Sequence, residues 1–291
     1  MMKYALFLGC QIPIRLQQYE TSSRAVLERL GVELVEIEEF NCCGYPLRNL
    51  DFNTFLLASA RNLALAEKKN LNVMTLCQCC YGALRKADFL LKENLSLRKE
   101  VNAILQQEGI PYEGKVEVKH LLTVLHQEVG IAAIRKKVEK PFEGLNVAVH
   151  YGCHALRPSE IVRFDNPGNP TLFDRLVEVT GAKSIDWLLR LECCGAPLLG
   201  SHDELSTEMT LKKLKNGQES GADYLCTACT YCQIQFDTVQ QMILSQKNLN
   251  HPLPSILYPQ LLGLSMGIPP EPLGLKMNKI PVFPGVEPTC G

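Results

Sequence analysis

Short runs of apolar and β-branched residues recur along the chain and stop at a glycine or cysteine: LFLGC at 6–10, VELVEI at 32–37 and NVMTLC at 72–77. Runs of this length, bounded by turn residues, read as strands of a buried parallel sheet. Between them the apolar spacing lengthens to three and four residues. SSRAVLERLG at 22–31 has a serine start and a glycine stop, and FNTFLLASARNLALAEKKN at 52–70 is apolar along one face, so both predict helices. NVAVHYGC at 146–153, NPTLFDRLVEVTG at 169–181 and ADYLC at 222–226 repeat the plan. Strands alternating with helices predict an α/β fold of small parallel sheets flanked by helices. Ligands in such sheets gather beyond the carboxyl ends of the strands, where Cys10, Cys77, Cys153 and Cys226 are expected.

The repetition extends to the motifs. ALFLGC at 5–10, NCCGYP at 41–46 and LCQCCYG at 76–82 are matched in order by VAVHYGC at 147–153, ECCGAP at 192–197 and CTACTYC at 226–232. VKHLLTVL at 118–125 echoes LYPQLLGL at 257–264. Both halves share the skeleton C…CCGxP…CxxC, so the chain reads as two tandem-duplicated domains, 1–140 and 141–291. The segment KVEKPFEGLN at 137–146, with charge, Pro and Gly, is the expected linker.

Composition narrows the class. A chain of 291 residues, 46% hydrophobic, can bury a large core without disulfides. A net charge of −1 gives no reason to expect nucleic-acid binding. Basic clusters such as KKN at 68–70 and RKK at 135–137 read as solvated helix faces. Thirteen cysteines are the anomaly. The apolar run at the start is too short for a signal-peptide core, and no run reaches transmembrane length. A cytoplasmic chain this rich in cysteine, with an odd count, points to metal or redox chemistry rather than a disulfide framework.

Each repeat offers five cysteines: Cys10, Cys42, Cys43, Cys77 and Cys80, then Cys153, Cys193, Cys194, Cys229 and Cys232. Zinc is saturated by four ligands. An iron–sulfur cluster accommodates more thiolates, because they bind different irons. The adjacent cysteine pair suits two metals of one cluster better than one metal. Structural zinc in a repeat is the competing assignment. Cys79, Cys226 and Cys290 fall outside the scheme and are expected to be non-ligands. In the second half Cys226-x-x-Cys229 competes with Cys229-x-x-Cys232; the latter keeps Cys80-Tyr81 and Cys232-Gln233 in matching places. His154, directly after Cys153, either faces a bound substrate as a catalytic residue or donates to a sulfur or backbone group. His150 is expected to pack within its strand, and His120, His126, His202 and His251 to lie at the surface or in capped loops.

At these residues the chain resembles the cysteine-rich CCG domain family. The flanks FLGC at 7–10, HYGCH at 150–154, RPSEI at 157–161, CTYCQIQFD at 229–237 and PQLLGLSMG at 259–267 are similar to the B subunit of heterodisulfide reductase, over essentially the whole chain. The resemblance implies that each five-cysteine set holds a noncubane [4Fe–4S] cluster, two per chain. It also implies that the two clusters face a cleft where a disulfide such as the coenzyme M–coenzyme B heterodisulfide of methanogenesis is split into two thiols. A ferredoxin-like C subunit, fed by a flavin-containing A subunit, would deliver the electrons. CCG domains also occur in other oxidoreductase complexes, where an electron-transfer or docking component without a substrate site is the alternative.

Overall fold

The structure is a computed structural model and describes residues 2–247 and 251–283; Cys290 lies outside them. It contains two four-stranded sheets, each wholly parallel. The first has the order β2-β1-β3-β4, with β1 at Met2–Phe7, β2 at Val32–Val35, β3 at Val73–Thr75 and β4 at Val118–His120. The second has the order β6-β5-β7-β8, with β5 at Asn146–Val149, β6 at Lys183–Ile185, β7 at Tyr224–Thr227 and β8 at Ser255–Leu257. The registers match across the duplication: Thr75 pairs with His120 in one sheet, and Thr227 with Leu257 in the other. This is the tandem α/β arrangement that the alternating pattern predicts.

The central strands are buried beyond their first residue or two, as strands covered by helices on both faces are. Ala5, Leu6 and Phe7 of β1, and Val147, Ala148 and Val149 of β5, belong to one apolar core continuous through both halves. The helix expected over 52–70 runs Phe52–Lys68, capped by Asp51, whose carboxylate accepts from Thr54 N. The helix expected from Ser22 begins earlier, at Gln17, and ends at Arg29 before Gly31. Ser22 and Ser23 instead turn their hydroxyls back onto the carbonyls of Gln18 and Tyr19, so they lie inside the helix rather than starting it. The segment 137–146 crosses from one half to the other outside helix and sheet for most of its length.

The two halves are interlocked. The Gln17–Arg29 helix packs on the Tyr258–Ser265 helix of the other half. The Gln78–Glu93 helix packs on Ser159–Val162, where Tyr81 Oη donates to Val162 O at 2.6 Å and Arg85 Nη2 to Ile161 O at 3.0 Å. The carboxyl ends of β3 and β7 therefore meet, and the cysteines beyond them share one region. Among the described residues no helix is long and apolar enough to cross a membrane.

Candidate metal centres and the cleft between them

The cysteines reach this region by three local devices, each used twice. A left-handed glycine, Gly9 or Gly152, turns the chain out of β1 or β5 to present Cys10 or Cys153. The CCGxP segments then curl back through Gly44 or Gly195, both left-handed, into a short 3-10 turn with Pro46 or Pro197. A Cβ at either glycine would lie 2.8 Å from Phe55 O or 2.7 Å from Ser206 O, so only glycine fits. Ser59 Oγ donates to Cys43 O at 2.6 Å, and Thr210 Oγ1 to Cys194 O at 3.1 Å, fixing both CCG backbones. Finally, Cys77 and Cys229 are the N-cap residues of the helices starting at Gln78 and Thr230. A helix N-terminus favours thiolate over thiol.

Of the twelve described cysteines none is in a disulfide, and all but Cys226 form one connected string of sulfurs. Cys10 lies 3.7 Å from Cys42. From there hydrogen-bonding contacts run through Cys43, Cys80 and Cys77. Cys77 touches both Cys79 and Cys229. The string continues through Cys232, Cys194 and Cys193 to Cys153. Its outer ends (Cys10, Cys42, Cys153 and Cys193) are partly exposed and its middle is buried. Neighbouring thiols perturb one another strongly. Cys193 is drawn down to about 2, first by the Cys153 thiol, while Cys153 is pushed up by Cys193 and burial. Burial and neighbouring sulfurs hold most of these thiols protonated, and a cation among them would favour their thiolate forms.

The second-half register follows from the strands. Cys77 stands two residues beyond β3 and Cys229 two beyond β7, so Cys229 and Cys232 occupy the places of Cys77 and Cys80. Cys226, expected at a strand end, is inside β7 and wholly buried; burial alone pushes its thiol up, and no sulfur neighbour contributes.

Three other residues sit differently from expectation. Cys79, expected outside the cysteine set, lies with Cys77 and Cys229 in a group whose sulfurs are all within 4.8 Å. His150, expected to pack in the strand, stands just past β5 and points Nε2 at Cys232 Sγ, 3.3 Å away. Together with Cys194 it forms a second such group. Among the described residues no four ligand atoms lie that close together, so neither group is a ready tetrahedral zinc site. His120, expected at the surface or in a capped loop, is fully buried. It caps the next helix by accepting from Leu122 N at Nδ1, with Nε2 3.0 Å from Leu76 O. His202 and His251 are exposed and His126 is half-buried.

Between the two CCG turns lies a cavity of ≈ 350 Å³. Cys79 and Tyr45 come to it from the first half, and Cys153, Cys194, Cys229 and Cys232 from the second. His154 lines it too. Arg48 Nη1 donates to His154 Nε2 at 2.9 Å, leaving the proton on Nδ1, which faces Cys153 Sγ at 3.2 Å and Cys79 Sγ at 3.5 Å. Burial first, and then the Arg48 charge, pull His154 down to about 4, so the ring is neutral near pH 7. Arg48 also stacks over Tyr45, 4.5 Å from the ring centroid, and is the charged side chain of the lining. Gln78, on the same wall, is 1% exposed, and neither amide atom has a partner. Thr230, its counterpart after Cys229, is equally buried and has the Cys77 sulfur beside its hydroxyl. An orphaned buried amide on a cavity wall marks where a bound group belongs. Spacing alone did not single out Arg48, Gln78 or Cys79; aligning CCGYPLR with CCGAPLL would have marked Arg48 as a departure from the repeat.

A family model for the CCG cysteine-rich domain matches residues 4–85 and again 147–237. Over 96% of this chain and 94% of its own, the B subunit of a CoB–CoM heterodisulfide reductase from Methanosarcina acetivorans is 34% identical. The chain belongs to that family. A protein from Archaeoglobus profundus, described as like the B subunit of heterodisulfide reductase, is 35% identical over 93% of both chains. The membrane anchor subunit of an 8-methylmenaquinol:fumarate reductase from Wolinella succinogenes is 36% identical over 96% of this chain and 97% of its own. Among solved structures, a hypothetical protein from Helicobacter pylori has the same fold, with a TM-score of 0.76 over 95% of this chain and 51% of its own, at 20% identity.

Proposed function

We propose that the chain is the iron–sulfur subunit of a heterodisulfide reductase-type complex and reduces a disulfide to two thiols in the cleft between its two cysteine sets. One observation carries this reading: a single cavity has thiols of both repeats on its walls. The ligands would be Cys10, Cys42, Cys43, Cys77 and Cys80 for one [4Fe–4S] cluster, and Cys153, Cys193, Cys194, Cys229 and Cys232 for the other. The strung-out sulfurs suit polynuclear noncubane clusters better than single zinc ions, which need four ligands around one point. When bound, the clusters supply the single electrons that the two-electron disulfide couple requires.

The protein's own part is binding, orientation and proton supply. Reduction of one disulfide takes two electrons and two protons and yields two thiols. His154, held by Arg48 with its proton on Nδ1, presents an N–H toward the sulfurs of the cleft and is placed to hydrogen-bond a thiolate product. Arg48 suits a disulfide carrying an anionic group, and Ala196, Pro197 and Leu199 give the lining an apolar part. The partners in this reading are a ferredoxin-like C subunit and a flavin-containing A subunit. The chain would work in the cytoplasm, with its repeats divided at 140/141.

The Wolinella relative supports a second reading, an electron-transfer or docking component without its own substrate. Anaerobically prepared protein with a reduced viologen donor separates the two. Thiol release from an added disulfide, with a new paramagnetic signal when thiol is added to the oxidised protein, is the outcome expected here. Neither thiol release nor any spectral response would favour the docking component.

A further inference from the structure

The duplication allows each residue around one cysteine set to be compared with its counterpart around the other, and two seats differ in a way that carries charge. Three residues before Cys10 stands Phe7; three before Cys153 stands His150. Both are buried at the end of the first strand of their sheet. Phe7 offers its neighbours only an aromatic edge, against Phe40. His150 brings Nε2 to 3.3 Å from Cys232 Sγ. Its Nδ1 is buried with no partner, so the proton belongs on Nε2, where it has a sulfur to meet.

The second seat lies on the helix behind each CCG turn. Ser59 and Thr210 hold the turns in the same way, and three residues further on are Asn62 and Lys213. Asn62 Nδ2 donates to Cys42 O at 3.2 Å and reaches Asn41 O at 3.4 Å. Lys213 Nζ donates to the matching carbonyl, Glu192 O, at 3.0 Å, and also to Leu189 O. The job is the same, but an ammonium replaces an amide. Lys213 is 2% exposed and lies over the Trp187 ring, and its charge couples to Cys232, Cys194 and Cys193. The Glu192 carboxylate couples to it as well, though no carboxylate among the described residues lies within salt-bridge distance of Lys213. Three other polar groups stand between the sets. Arg48 faces His154 and Tyr45 rather than a sulfur. His154 turns Nδ1 toward Cys153 at 3.2 Å, which adds to the second set, and toward Cys79 at 3.5 Å. Cys79 touches Cys77 and Cys229 alike, so it acts on both sets.

We propose that the two cluster sites are unequal by construction: His150 and Lys213 make the second-repeat site the stronger electron acceptor, while Phe7 and Asn62 leave the first-repeat site the weaker one. Reducing a cluster adds negative charge, which an N–H aimed at a ligand sulfur and a buried cation both stabilise. The second set therefore fills with the first electron and the first set with the second. The two halves of a bound disulfide then meet centres of different driving force. This inference rests on the proposal that each set holds a cluster.

Redox titration of the full chain, followed by electron paramagnetic resonance and paired with iron analysis, is the test. The wild type should give two resolved midpoints. His150→Phe and Lys213→Gln should each lower the more positive midpoint, by about tenfold in the reduction equilibrium (~59 mV for one electron), and leave the other in place. His150→Gln, which keeps an N–H donor, should restore most of the shift. Should either substitution move the more negative midpoint, or neither move any with iron content intact, the inequality is overturned. Wild-type protein without iron would overturn the cluster reading itself, and the inequality with it. Should His150→Phe fail to load, Lys213→Gln and His150→Gln still decide the question.

Discussion

Gly152 and Gln78 provide a direct probe of how the cleft is assembled, because they touch across the two halves. Gly152 adopts φ +73°, and a Cβ there would sit 1.9 Å from Gln78 Oε1, 3.0 Å from its Cδ and 3.5 Å from its Nε2. All three nearest atoms belong to the end of one side chain, which is itself 1% exposed and can move only toward the adjoining cavity. For Gly152→Ala the left-handed backbone costs about 1–2 kcal/mol. Forcing Gln78 from its seat adds about 1–3 kcal/mol. The single substitution should therefore destabilise by about 2–5 kcal/mol, which lowers the melting temperature by roughly 3–8 °C for a chain of this size. Gln78→Ala alone should change stability by less than about 1 kcal/mol, since it removes a buried amide that has no partner. In the double variant the steric part vanishes and only the backbone part, about 1–2 kcal/mol, remains. Thermal and urea unfolding of the four proteins measures the cycle. Additive effects, or a Gly152→Ala protein as stable as wild type, would refute the interlocked geometry.

Three further outcomes follow from named groups. Arg48→Gln removes the charged side chain of the cleft lining, so half-saturation for an anionic disulfide should rise roughly 10- to 100-fold, as expected for losing a charge-assisted hydrogen bond. In steady-state assays a neutral disulfide of the same length should lose less. Cys226→Ala should keep its full iron content while Cys232→Ala loses part of it, because only Cys232 belongs to the string of sulfurs; metal analysis of the two proteins checks this. Burial raises Asp237 to about 6, although Lys279 N and Ile280 N donate to its carboxylate. A carboxyl raised in the fold binds its proton more tightly folded than unfolded. Its contribution is thus full below pH ~4 and is lost as the pH rises through about 6. Unfolding curves of Asp237→Asn should lack that decline, with a difference from wild type of up to about 3 kcal/mol across the window.

The fold was legible because the duplication shows twice in sequence, and because strands that end at a cysteine also end in the sheet. The edges were less legible. β6 and β8 are three residues each, too short for a period to show. The motif cysteines could be placed by spacing, but Cys226 could not: its neighbours also read as a strand end, and only the pairing of Thr227 with Leu257 puts Cys226 inside the strand. Cys79 reads as a bystander within CQCC. The N-terminal turn of its helix brings it within reach of Cys229, a contact between halves that no local pattern encodes. His150 and Lys213 are likewise ordinary residues until each is set beside its counterpart in the other repeat. What sequence conveys least is the long-range meeting of β3 and β7, and that meeting makes the cleft.

Two iron–sulfur centres, one for each cysteine set, are what the proposed reaction requires. Iron, acid-labile sulfide and zinc, measured together on anaerobically purified protein beside Cys43→Ser and Cys194→Ser, test it most directly. Wild type should carry about eight irons with matching sulfide and little zinc, and each variant should lose iron from its own set while the other set retains about four. About two zinc ions per chain, or about four irons in wild type removed entirely by either substitution, would contradict it.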